Sequence, residues 1–138
     1  MSVDRRELLA DLRTDFEVML NLVTGPEAQT ATLNPMERSL LRQLLRRGRK
    51  LLQVFLAYRA DGESHAPQGG WQRLKFRYHS QKAVDYLSIF GKLEVRRAYF
   101  YAPGYGGKTP MDRALSLPER GYSDLLMECA ELLAVDSA

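Results

Sequence analysis

Apolar positions in this chain recur first with the period of a helix, then with that of a strand, then with that of a helix again. Over residues 4–22, Leu8, Leu9, Leu12, Phe16, Met19, Leu20 and Val23 fall within an arc of about 120° at 100° per residue. Asp4, Glu7, Asp11 and Asp15 occupy the other side, Ser2 or Asp4 caps the start, and Gly25-Pro26 ends the helix. Residues 24–34, rich in Thr, Pro and Ala, read as a linker. A second helix runs over residues 35–60, with Asn34 as N-cap and Pro35 at the first helical position. Leu41, Leu44, Gly48, Leu51, Leu52 and Phe55 form its apolar stripe, and Arg38, Arg42, Arg46, Arg49 and Lys50 share the opposite face.

After a loop at residues 61–72, the period changes to two. Leu74, Phe76 and Tyr78 alternate with Arg73, Lys75, Arg77 and His79, which predicts a strand over residues 73–80. A β-hairpin follows near residues 82–101, with Gly91-Lys92 as its turn and Arg96-Arg97 in the middle of its second strand. Residues 108–121 are a turn-rich connector. The last helix covers about residues 122–135, with Ser123 or Tyr122 near its cap and Leu125, Leu126, Cys129, Leu132 and Leu133 on its apolar side. The predicted class is α+β: two long N-terminal amphipathic helices, a small antiparallel β-hairpin or sheet, and a C-terminal helix. Residues 1–60 are expected to form a helical arm or hairpin, and residues 61–138 the hairpin, a glycine-rich loop and the last helix.

Charge sharpens this picture. The net charge of +3 is distributed in blocks: −3 over residues 1–34, +6 over 35–60, +3 over 61–101 and −3 over 102–138. A basic middle between acidic ends suggests a local field for a polyanion. With 45% hydrophobic and 27% charged residues, the composition is that of a globular chain. No apolar run approaches a membrane span, MSVDRRELL has no signal-peptide core, and a single cysteine fits a reducing cytosol. A cytoplasmic protein is therefore expected.

Candidate chemistry is confined to the basic surfaces. Like charges along residues 38–50 repel one another, and a row of phosphates would relieve that repulsion; a solvated face, or pairing with the acidic first helix, are the alternatives. Arg73, Lys75, Arg77 and one of Arg96 and Arg97 can share a second basic face, because neighbouring strand residues point to opposite sides. Trp71, Phe76, Tyr78, Tyr86, Phe90, Tyr99, Phe100 and Tyr101 could stack on unpaired bases, but most are expected to build a core. Cys129 reads as a small buried apolar residue, His65 as a loop residue and His79 as a strand residue. No base stands beside a nucleophile, and Gly104, Gly106 and Gly107-Lys108 lack the spacing of a phosphate loop.

The stretch SIFGKLEVRRAYFY at residues 88–101, the APGY at 102–105 and PMDRALSLP at 110–118 together resemble the N-terminal region of the Kra family of insertion-sequence transposases. The likeness is specific over about residues 72–138 and includes the helix YSDLLMECAELLA. The family's knuckle carries Cys-Pro-x-Cys; here Ala102 and Tyr105 stand at the cysteine positions. One cysteine, His65 and His79 cannot make a four-ligand zinc site, so a metal-free loop without cofactor is expected.

The resemblance implies a bacterial mobile-element protein that takes part in DNA recombination. Its acid-triad (DDE) catalytic domain, working with two metal ions, would lie beyond Ala138. The chain itself is then expected to be no enzyme, but the portion that recognises element ends and assembles the transposase. Its expected partners are DNA, further copies of itself or the full-length transposase. A dimerisation or inhibitory module derived from a truncated transposase is the alternative.

Overall fold

The computed structural model describes residues 5–67 and 69–136. The proposed caps Ser2 and Asp4 lie outside them. The chain divides into two compact units, Met1–Phe55 and Leu56–Ala138.

The first unit is a helical hairpin. Helix α1 spans Arg5–Thr24, a single 3-10 turn spans Pro26–Gln29, and helix α2 spans Leu33–Asp61, its last turns belonging to the second unit. Gly25 closes α1 with its N–H on the Asn21 carbonyl at 2.7 Å. A Cβ at Gly25 would stand 2.6 Å from that carbonyl oxygen, so only glycine fits there. Helix α2 begins two residues before Pro35, so Asn34 is not its cap; the Met36 N–H already reaches Thr32, and Asn34 Oδ1 accepts from Arg38 Nε. Pro35 remains in the first turn, where its missing N–H costs nothing.

The two helices meet along inner seams. On α1, Leu8, Leu12, Asp15, Met19 and Leu22 are half-buried or buried. On α2, Leu40, Gln43, Arg47, Lys50 and Val54 are. The α2 seam is thus partly polar, and the more apolar line of Leu41, Leu44, Leu51 and Phe55 stays exposed.

The second unit is built on a three-stranded antiparallel sheet in the order β1-β2-β3: β1 Arg77–Ser88, β2 Gly91–Ala102, β3 Gly106–Lys108. The two strands expected over residues 73–80 and from about 82 onward are one strand. Residues 73–75 are turn instead: the Phe76 N–H folds back onto the Trp71 carbonyl at 3.0 Å, and Lys75 takes φ 62°. Arg77 pairs with Tyr101 and Ser88 with Gly91, with one irregularity at His79. The β1–β2 turn is Ile89-Phe90 rather than Gly91-Lys92, because Ser88 Oγ organises it, donating to the Gly91 carbonyl (2.7 Å) and accepting from the Phe90 N–H (3.1 Å).

Strand β2 buries both of its faces, at opposite ends. Leu93 and Val95 are buried on one side; Ala98, Phe100 and Ala102 are buried on the other. The parity changes at Arg96-Arg97. Phe76, Ala98, Phe100 and Ala102 form the core cluster, with Trp71 and Tyr78 against it. Phe76 and Phe100 are each 1% exposed, and burying each contributes roughly 2–3 kcal/mol.

Ala102-Pro103-Gly104-Tyr105 is a type II turn, with Pro103 at its second position, Gly104 at φ 84° and the Tyr105 N–H on the Ala102 carbonyl. The connector holds a short helix, α3 (Pro110–Ala114), which packs along β2. Residues 121–123 then pair with β1 at Leu87, through Leu87 N–H to the Gly121 carbonyl and Ser123 N–H to the Leu87 carbonyl, both 2.9 Å. Helix α4 spans Asp124–Asp136 and is capped by Ser123, whose Oγ accepts from the Leu126 N–H at 2.9 Å. Leu126 and Cys129 are half-buried, whereas Leu125, Leu132 and Leu133 are exposed.

Candidate nucleic-acid interface

Four arginines on α2, Arg38, Arg42, Arg46 and Arg49, are exposed along one side of the helix. The steps of four, four and three residues keep them in a single row of about 16 Å. Lys50 does not belong to it. Its Nζ sits 2.7 Å from Asp15 Oδ2, on the inner seam. Arg47, also inward, lies 3.8 Å from Asp15 and hydrogen-bonds Gln43. The hydrogen bond from Lys50, aided by the charges of Lys50, Arg47 and Arg46, holds the Asp15 carboxyl below its ordinary pKa against a smaller opposing effect of burial. One acid thus gathers the inward cations, and the outer row stays exposed.

The second basic surface is not a strand face. Arg73 and Lys75 are exposed on the turn before β1, and Arg77 opens β1 with Nη1 donating to the Phe76 carbonyl at 2.8 Å. Arg96 and Arg97 part company at the parity change. Arg96 is exposed and bound to its strand neighbour Glu94 at 2.7 Å. Arg97 is drawn inward: Nε and Nη2 donate to the two Asp112 oxygens at 2.8 and 3.3 Å, and Nη1 to the Lys82 carbonyl at 3.1 Å. Asp112 also accepts from Thr109 Oγ1 at 2.8 Å. The connector's Pro-Met-Asp run therefore anchors α3 to β2, and Arg97 is a structural tie.

The aromatics mostly face one another. Trp71 packs against Phe76 and Phe100 at 5.5 Å between ring centroids, and Tyr78 against Phe100 at 6.1 Å. His65 stacks on Tyr78 at 3.8 Å with the rings 8° from parallel. Two lysines outside the expected set lie over rings: Lys82 over Tyr99 at 3.7 Å, and Lys108 over Trp71 at 5.6 Å.

Sequence reasoning also missed Glu63. Its Oε2 accepts the Ala98 N–H at 2.8 Å and closes the edge of β2 left open beyond β3. Its Oε1 is buried without a hydrogen-bond partner beside a cavity of about 310 Å³ that Trp71, Phe100 and Met111 help to line. No local pattern marks a loop carboxylate that serves a strand 35 positions away. Among the described residues, no three His, Cys, Asp or Glu side chains converge on a metal-sized site. No helix among them is long and apolar enough to cross a membrane. No protein-family model, curated protein or solved structure matches the chain.

Proposed function

We propose that this chain is a DNA-binding and assembly portion of a transposase, acting in the cytoplasm on duplex DNA and performing no cleavage itself. The observation that carries the reading is the exposed arginine row on α2. Guanidinium groups repeated once per helical turn, on a face opposite the exposed leucines, suit a phosphate backbone that carries one charge per ~1.7 Å of duplex axis. The resemblance of residues 88–118 to the Kra family supports the transposase context.

Binding of this kind releases counterions. Fluorescence anisotropy with a labelled duplex should therefore give a log–log salt slope of about −0.9 for each phosphate neutralised. Replacing Arg42, Arg46 and Arg49 together with Gln should weaken binding and flatten the slope by about 0.9 for each phosphate that is no longer neutralised. An unchanged slope in this variant, with helical content intact by circular dichroism, would remove the arginine row from the interface.

A further inference from the structure

The apolar positions of the first unit fall on two surfaces, and one of them stays largely exposed. On α2, Leu41, Leu44, Gly48, Leu51 and Phe55 follow steps of three, four, three and four residues, which is the spacing of a coiled-coil seam. Leu41, Leu44 and Leu51 are 58%, 55% and 56% exposed. The seam that meets α1 is the one carrying Gln43, Arg47 and Lys50. The more apolar line of α2 therefore faces outward.

Helix α1 repeats the arrangement. Phe16, Leu20 and Val23 are exposed and lie about a quarter turn past its inner seam, in the same rotational sense as the open seam of α2. The helices run in opposite directions, so equal offsets in one sense bring both stripes to the same side of the hairpin. The arginine row lies away from that side.

We infer that this face pairs with the same face of a second copy of the chain, giving a two-fold bundle of four helices. Three features favour a second copy. The seven exposed side chains, each about half open, offer on the order of 500 Å² per copy, so ~1,000 Å² across a pair, which is the size at which an interface becomes specific. Gly48, costly in a helix interior, stands between Leu44 and Leu51 and leaves a hole for a partner's leucine. Arg42, Arg46 and Arg49 occupy the outermost positions of the heptad, so pairing brings none of these like charges together. The dimer would then show two arginine rows to solvent. This inference stands independently of DNA binding.

Sedimentation equilibrium on the full chain tests it. The expected mass is twice 15.8 kDa, falling to 15.8 kDa on dilution. Leu44→Glu with Leu51→Glu should leave a monomer of unchanged helical content, while Val18→Glu, exposed on the charged side of α1, should leave the dimer intact. Gly48→Leu should raise helix propensity yet weaken association about tenfold by filling the hole. A wild-type monomer at every concentration would overturn the inference. So would a dimer that survives Leu44→Glu/Leu51→Glu, or one lost only on Leu132→Glu in α4.

Discussion

Replacing Arg97 with Gln should cost the second unit far more than replacing Arg96, although the two are adjacent and chemically identical. The Arg97 side chain is 13% exposed and Asp112 34% exposed, and they share two hydrogen bonds. Hydrogen bonds between charged groups in partly buried sites contribute about 1.5–3 kcal/mol, and the Lys82 carbonyl loses a donor as well. The Thr109 hydroxyl stays on Asp112, which softens the loss, so about 2 kcal/mol is expected for Arg97→Gln. The Arg96 and Glu94 side chains are 64% and 50% exposed, and such a pair is worth well under 1 kcal/mol. Trp71 is the only tryptophan and packs on Phe76 and Phe100, so its fluorescence follows this unit selectively. In a urea titration a 2 kcal/mol loss moves the midpoint by about 1 M. Asp112→Asn should behave similarly, and the double variant should lose less than the sum of the two. Equal midpoints for Arg96→Gln and Arg97→Gln would refute the idea that β2 changes its buried face between them.

Gly107→Ala should lower the stability of the same unit by about 1–3 kcal/mol, because a Cβ there would stand 2.0 Å from the Tyr99 ring and force that ring to move; a thermal melt followed by Trp71 fluorescence checks this. The helical hairpin should weaken in acid. The folded pKa of Asp15 is lowered, so its contribution is present above the unfolded value near 3.8 and is lost as pH falls through the folded value; helical content should drop below about pH 4, and Asp15→Asn should remove that component of the acid transition.

The α+β class and the order of elements were legible because each rests on local periodicity. The leucines of α1, α2 and α4 repeat at helical spacing, and β2 alternates cleanly on either side of its arginine pair. What failed locally had long-range causes. Basic–apolar alternation over residues 73–80 looks like a strand, but its first part is bent into a turn so that Phe76 can enter the core beneath Trp71 and Phe100. Gly91-Lys92 looks like the hairpin turn, but the Ser88 hydroxyl sets the register two residues earlier. Of the two basic faces that the sequence suggests, Asp15 on the acidic first helix removes Lys50 from one and Asp112 removes Arg97 from the other. Those partners lie 35 and 15 positions from Lys50 and Arg97, beyond any spacing rule.

The division of labour on α2 follows from its length and its periodicity. A helix of 29 residues is long enough to carry more than one continuous stripe. Its inner seam meets α1 through the buried Met19 and Val54 together with an ion cluster around Asp15, so part of that contact is polar. Its richest apolar seam is thereby left open, and its arginines stand on a third side. Had the leucines of residues 41–51 faced α1, the hairpin would be more stable alone but would present only charge to solvent. A partly polar seam inside and an apolar seam outside instead make a hairpin whose largest remaining gain in burial lies in association. The arginine row stands on another side of the helix, so the proposed charge recognition and the inferred pairing would not compete for the same face.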